Sequence, residues 1–343
     1  MRHIIQRAPI QDDARPSRVR CGSLGKALRL VALCFGLAAS LAHAQSFPTK
    51  PVTVVVPFPA GSTTDVIIRL AGPRMQQILG QPLIVDNRVG AAGSIGTALV
   101  ARAPADGYTL LFTSQAHTAN SSLYPNLPWD PVKSFAPVLL VGSIPNVFAV
   151  RSSEPFKTLE EFIAFAKSKP GQLNYASSGV GTSPHLTTEL LKQASAIELT
   201  HVPYKSSPEA LNALIAGDVA MAPLGIVIAK SQIEAGKVRA LAVSSSTRSR
   251  VLPNVPPVAE SGIPNYDVRP LQAIFAPAGT PRGIVDQLNA AFTKALTSPE
   301  IESKLVDLGV ELDLRSPQET GKFIQADVDR WSVVIKRAGI RLD

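Results

Sequence analysis

Val52-Thr53-Val54-Val55-Val56-Pro57-Phe58-Pro59-Ala60-Gly61-Ser62-Thr63-Thr64-Asp65 is the stretch on which the reading of the fold turns. Val52 to Pro57 is a continuous apolar run, the pattern of a strand buried on both faces of a parallel sheet. Asp65 to Leu79 follows, with Ile67, Leu70 and Ile78 on one helical face. Pro73 is expected to kink that helix. Between strand and helix, Gly61 permits close backbone approach, and Ser62 or Thr63 can cap the helix. Free N–H groups and the dipole act together at a helix start, so this loop can hold an anion. Asp65 has two readings. It stabilises the first helical turn, or it accepts from a ligand ammonium or bound water.

Working outward, Leu83 to Val85 reads as a strand, a helix starts near Ser94, and Tyr108 to Thr113 reads as a third strand. The order β-α-β-α-β predicts a doubly wound sheet. A second unit repeats the pattern. Thr158-Leu159-Glu160-Glu161 is a capping box, and strands follow at Leu173 to Ala176, Leu199 to Val202, Val219 to Ala222 and Arg239 to Val243. Helices fall at Pro184 to Lys192 and Pro208 to Ile215. A last segment carries a strand at Leu271 to Ala276, a helix capped by Thr280-Pro281, and the capping box Ser316-Pro317-Gln318-Glu319. It is too small to bury a core alone, so it is expected to return to the first unit. The expected fold is α/β and two-lobed. Each lobe is a doubly wound, mostly parallel sheet flanked by helices. Lobe 1 is 45–147 plus 271–343 and lobe 2 is 148–270, with crossings near Asn146 to Arg151 and Pro264 to Leu271.

Residues 1–44 read as a secretory signal. Seven basic residues precede an uncharged run, Leu30 to Leu41, and Ala42-His43-Ala44. That run is too short to span a bilayer. Without this leader the chain has 27 basic and 24 acidic residues, a formal charge of +3. No basic stripe with interleaved aromatics remains to bind nucleic acid. Cys21 and Cys34 both lie in the leader, so the mature chain has neither a disulfide nor a thiol nucleophile. Export without disulfides fits a bacterial periplasm.

A second loop matches the first. Ser177-Ser178-Gly179-Val180-Gly181-Thr182-Ser183-Pro184-His185 also joins a strand to a helix, with Ser183 as cap and Pro184 in the first turn. In doubly wound sheets such loops lie at the carboxyl ends of strands, where ligands bind. One hydroxyl-rich helix start per lobe suits a ligand with carboxylates at both ends. Ser114 and His117, after the third strand, are candidates for the cleft wall. His117 and His185 could act as bases or serve only structural hydrogen bonds. Gly90 to Gly96 has Gly-x-x-Gly-x-x-Gly spacing, not the dinucleotide fingerprint, and reads as tight helix–strand packing. No G-x-S-x-G elbow or metal-spaced histidine pair exists. No metal and no cofactor is called for, and a periplasmic hydrolase using a serine with His117 or His185 is the weaker alternative.

The chain resembles the Bug receptors, the extracytoplasmic binding components associated with tripartite tricarboxylate transporters. The resemblance rests on Pro51 to Phe58 leading into Ala60-Gly61 and Asp65, on Asp86-Asn87-Arg88, Gly93-Ser94-Ile95-Gly96 and Ala105 to Leu111, and on Tyr175 to Thr182. It continues through His201-Val202-Pro203-Tyr204-Lys205, Ala235 to Val243, Pro253 to Glu260 and Phe275 to Pro281. It implies a Venus-flytrap fold, a monomer, and a small carboxylate delivered to membrane permease subunits or to a sensor. It implies that Phe58, Ala60, Gly61, Ser62, Thr64 and Asp65 hold one carboxylate through backbone N–H groups, hydroxyls and water. Ser177, Ser178, Gly181, Thr182 and His185 would face it. Four residues at three places depart from the family pattern. Ser62 replaces a glycine, Ser206 replaces a glycine, and Ala222-Pro223 replaces an aromatic and a carboxylate. The last departure argues against an amino-acid ligand.

Overall fold

In the computed structural model, which describes residues 47–342, the valine run forms β1 (Val52–Val56) with four of its five residues buried. The expected signal segment lies outside the described residues. After β1 come α1 (Thr63–Leu79), β2 (Leu83–Asn87), α2 (Ser94–Ala101), β3 (Thr109–Ser114), α3 (Ala116–Leu123) and β4 (Phe135–Ser143). The chain then enters β5 (Asn146–Arg151), α4 (Leu159–Ser168), β6 (Leu173–Ser177), α5 (Ser183–Ser195), β7 (Leu199–Pro203), α6 (Ser207–Ala216), β8 (Ala222–Gly225), α7 (Ile226–Glu234) and β9 (Val238–Val243). It returns through β10 (Leu271–Pro277), α8 (Arg282–Leu296), α9 (Pro299–Asp307), β11 (Glu311–Arg315) and α10 (Pro317–Ala338).

The first lobe is a six-stranded sheet in the order β11-β4-β10-β3-β1-β2. The returning strand β10, buried at every residue, inserts between β3 and β4 and so carries the last segment into this lobe. In the second lobe, β5 lies between β8 and β9, and β6 pairs with β7. A parallel bridge from Tyr175 to Met221 links the two groups. The fold is therefore the two-lobed α/β architecture, but its sheets are mixed rather than mostly parallel. Strand β10 runs antiparallel to both neighbours, β11 runs antiparallel to β4, and β5 runs antiparallel to β8 and β9. Ile144 and Pro145 separate β4 of the six-stranded sheet from β5 of the three-stranded one.

Local chemistry sets the element boundaries. Ser62 caps α1 by accepting from the Asp65 N–H, and Gly80 ends it at a φ of 73°. The helix runs uninterrupted through Pro73, where a kink was expected. Thr158 and Ser316 cap α4 and α10, the latter with Glu319 in a full capping box. The strand expected at Val219 to Ala222 begins at Ala222 instead, because only Met221 of the preceding residues pairs. Gly93 and Gly96 pack on Pro57, as tight helix–strand packing requires. A Cβ at Gly96 would sit 2.8 Å from the Arg88 carbonyl.

Helix α10 does more than close the first lobe. Its start accepts a hydrogen bond from Leu140 of β4 at Thr320 Oγ1, 2.9 Å. Its far half places Trp331, Val334 and Ile335 in a core with Phe148, Tyr175 and Leu186 of the second lobe and Leu123 of α3. The same hydrophobic cluster thus spans both lobes.

Candidate functional site

The loop after β1 is built around Asp65, which is 2% exposed. Its carboxylate accepts from the Gly61 N–H at 2.9 Å, from Arg69 Nε at 2.9 and 3.0 Å, and from Asn87 Nδ2 at 2.9 Å. Asn87 also donates to the Phe58 carbonyl at 3.0 Å and accepts from Arg69 Nη2 at 2.9 Å. Burial raises the Asp65 pKa, but the hydrogen bonds from Arg69, Gly61 and Asn87 outweigh it, and the carboxyl lies below its ordinary value. Asp65 is thus committed to holding the loop. It has no capacity aimed at a ligand ammonium in this arrangement. Gly61 adopts φ +82°, with open space outside its Cα, and Ala60 is exposed. The N–H groups of Thr63 and Thr64, at the first helical positions, have no acceptor within the helix. Thr64 Oγ1 donates to Gln272 Oε1 at 2.9 Å, and Gln272 pairs in register with the half-buried Ser114. The loop is therefore tied to the start of β10, where the chain re-enters the lobe.

The loop after β6 repeats that geometry with different chemistry. Gly181, at φ +76°, donates its N–H to His185 Nδ1 at 2.9 Å, again four residues on. His185 stacks on His201 with centroids 3.9 Å apart and planes 7° apart, and Tyr175 stacks on His201 at 4.9 Å. Ser177 Oγ shares a 2.7 Å hydrogen bond with His201 Nε2 and also bonds the Gly179 carbonyl and N–H. Thr182 Oγ1 donates to Gly179 O at 2.7 Å. Burial lowers His185 to about 3, helped by His201 and Lys192. Burial also lowers His201 to about 4, against the pull of Glu189. Both rings are neutral at pH 7. Asn146, the first residue of β5, donates to Ser183 Oγ at 2.8 Å and Thr187 Oγ1 at 3.0 Å. This loop too is tied to a residue beside a crossing. A Cβ on Gly181 would sit 2.7 Å from Leu123 of α3, so the loop abuts the first lobe.

Two expectations change in the structure. His117 does not face the cleft. Its ring is 1% exposed, stacks on Phe275 at 4.3 Å and on Trp129 at 5.2 Å, and bonds the Pro131 carbonyl at 2.9 Å. Burial lowers it to about 4. As the second residue of α3 it is held in an aromatic pocket of Trp129, Phe135 and Phe275. Ala222 and Pro223 are also buried, paired to Ala149 and Phe148 inside the sheet. Their departure from the family pattern gives no ground for excluding an amino acid. Ser178 and Ser62 are half-buried and stay with their loops.

Asn87, Arg69, His201, Gln272 and Asn146 were not among the expected site residues. The Asp65–Arg69 spacing, i and i+4, carried a signal for one of them. The other four depend on pairing between distant strands. Among the described residues no hydrogen bond joins the two loops, and no group of three His, Cys, Asp or Glu could hold a metal.

The family model described as tripartite tricarboxylate transporter family receptor matches residues 67–340. Protein BugT of Bordetella pertussis is 35% identical over 309 residues, covering 90% of this chain and 94% of that protein. The solved structure of R. palustris Rpa4515 with adipate is 37% identical, with a TM-score of 0.75 over 86% of this chain and 100% of that one. MatC from Rhodopseudomonas palustris with bound malate is 36% identical, with a TM-score of 0.72 over 84% and 100%.

Proposed function

Because the chain belongs to the tripartite tricarboxylate transporter family of receptors, we propose that it captures a small dicarboxylate between the two glycine loops and releases it to a membrane permease. The observation that carries this reading is the matched construction of the loops. Each opens a helix, each is locked by a glycine N–H bonded to a side chain four residues on, and each lies in a different lobe. On this reading the N–H groups of Thr63 and Thr64, with Ser62, take one carboxylate in the open space outside Gly61. Ser178, Thr182 and Ser183 receive the other end. The adipate and malate held by the two solved relatives support a dicarboxylate of four to six carbons. Closing the lobes on it follows from the ligand's preference for the arrangement in which both loops reach it.

The reading includes no turnover. Ser177 and His201 are the one close serine–histidine pair at either loop, yet Ser177 is 1% exposed and its hydroxyl is committed to Gly179. A buried hydroxyl cannot reach a scissile carbonyl, and a base near pH 4 is a poor acceptor at pH 7. The reading places the protein in the periplasm. No helix among the described residues is long and apolar enough to cross a membrane, which agrees with it.

A thermal-shift series with succinate, malate and adipate tests the proposal. At least one acid should raise Tm with a concentration dependence that follows mass action. Gly61→Val, which fills the open space, should weaken that ligand by about tenfold or more, roughly the loss of one charge-assisted hydrogen bond, while circular dichroism stays native. A flat response to all three acids, or undiminished affinity in the variant, overturns it.

A further inference from the structure

Asp327, in the middle of α10, is a buried charge that neither loop uses, 3% exposed. A carboxylate is costly to bury unless it is paired and hydrogen-bonded, and this one accepts from four donors. Its Oδ2 receives Gln115 Nε2 at 2.8 Å, Thr118 Oγ1 at 2.7 Å and Trp331 Nε1 at 3.2 Å, and its Oδ1 receives Arg330 Nη2. The other terminal nitrogen of that guanidinium, Arg330 Nη1, donates to the Asp267 carbonyl at 2.8 Å. Arg330 is thus a bridge. A planar guanidinium holds two acceptors in a fixed geometry, which an ammonium does not.

The groups that meet here lead to both loops. Gln115 and Thr118 stand at the start of α3, directly after Ser114. Ser114 pairs with Gln272, which accepts from Thr64 of the first loop. Asp267 lies in the segment that carries the chain from β9 back to β10, and its carboxylate accepts from the Ser246 N–H at 2.9 Å. Its neighbour Tyr266 donates its hydroxyl to the Thr187 carbonyl at 2.8 Å. Thr187 is on α5, the helix that the second loop opens. Hydrogen bonds and adjacent residues therefore run from one glycine loop to the other, and Asp327 with Arg330 is the middle of that run. Trp331, beside them, belongs to the hydrophobic cluster that spans both lobes.

We propose that Asp327 and Arg330 are positioning residues for ligand capture. They fix the segment leading into β10 against the start of α3, and so set how often the two loops stand at the separation that one ligand can span. The inference rests on the two-loop reading of the site. Affinity for a ligand that needs one arrangement scales with the fraction of the protein already in it. Loosening the bridge lowers that fraction, and the loss falls mainly on the dissociation rate.

Two mild substitutions break the run at different points. Arg330→Lys keeps a charge beside Asp327 and gives up the bridge. Tyr266→Phe removes one hydroxyl and keeps the ring. Calorimetry with malate, succinate and adipate gives the affinities of the unsubstituted chain and both variants, and urea midpoints give their stabilities. Arg330→Lys should weaken the acid that binds the unsubstituted chain by about fivefold, the low end of ordinary coupling between separate sites, with faster dissociation and a urea midpoint close to the original. Tyr266→Phe should weaken the same acid by about threefold, the effect of one neutral hydrogen bond. Unchanged affinity in Arg330→Lys, or a urea midpoint that falls while affinity holds, overturns the proposal and leaves the loops as the ligand site. If Arg330→Lys does not fold, undiminished affinity in Tyr266→Phe overturns it. Binding of none of the three acids to the unsubstituted chain overturns the two-loop reading, and this inference with it.

Discussion

The loop after β1 is organised around Asp65, an ionised carboxylate that accepts from Arg69, Asn87 and the Gly61 N–H, whereas the loop after β6 is organised around His185, a neutral ring that accepts from the Gly181 N–H and stacks on His201. The backbone solution is the same in both: a left-handed glycine whose N–H reaches the side chain four residues ahead. The means of holding it differ. One loop is locked by a charge whose arginine partner is half exposed. The other is locked by apolar stacking that excludes charge. In each case the glycine N–H serves the loop itself. What remains for a ligand is the first helical turn, so the two lobes can present similar donor sets from locks of unlike chemistry.

Acid should separate the two locks, and this is the largest effect expected. His185, His201 and His117 have folded pKa values of about 3, 4 and 4, against about 6.5 in an unfolded chain. Between those values the unfolded state binds more protons, so stability falls as pH drops below about 6.5. His117 alone accounts for about 3 kcal/mol by pH 4, at roughly 1.4 kcal/mol per pH unit. Asp65 has the same sign of dependence but a lower pH window. Its pKa is depressed, so its contribution persists down to the ordinary carboxylate range and fades only below it. Urea unfolding at pH 7, 6 and 5 should record the loss. Amide exchange should show Gly179 and Gly181 losing protection well before Gly61. If Gly61 opens first, the comparison between a charged and a neutral lock is wrong.

Much of the first lock could be read from sequence, and little of the second. Val52 to Asp65 announces a buried strand, a turn and a capped helix within fourteen residues, all through local rules. Asp65 was visible too, although its two readings could be told apart only once Asn87 and Arg69 were in place. The second lock needed His201, which lies on β7 and reaches His185 only because β6 and β7 pair in register, Tyr175 opposite His201. The mixed sheets were hidden for the same reason. Nothing local in Leu271 to Pro277 says that it slots between β3 and β4 and reverses the pairing. His117 was misjudged because the aromatic pocket that captures it is drawn from Trp129, Phe135 and Phe275, far along the chain.

Alanine at the two glycines gives the next largest contrast. Both glycines have positive φ, so each substitution strains the backbone by about 1 kcal/mol. Outside Gly61 there is open space, and strain should be the whole cost. At Gly181 the new Cβ meets Leu123 Cδ1 at 2.7 Å and Leu342 Cδ1 at 3.3 Å. Overpacking should add about 1–3 kcal/mol there. Chemical denaturation should therefore find Gly181→Ala clearly the worse of the pair. Equal losses would mean that the contact with α3 yields freely.

The smallest contrast concerns the ties to the crossings. Thr64→Val keeps the shape of the side chain but leaves Gln272 Oε1 buried without its donor, in a position 5% exposed. An unsatisfied buried acceptor costs about 1–2 kcal/mol. Ser183→Ala removes only one of two acceptors from Asn146, whose amide keeps Thr187. About 0.5 kcal/mol is expected, the lower end for a hydrogen bond with a remaining partner. The first loop thus depends on a single tie to β10 and the second on a shared tie to β5. A double variant tests whether the two ties act independently. Additive losses in urea unfolding would mean that each loop is anchored within its own lobe. A coupling above about 0.5 kcal/mol would mean that the two crossings move as one element, since distant, unshared sites add to within that margin.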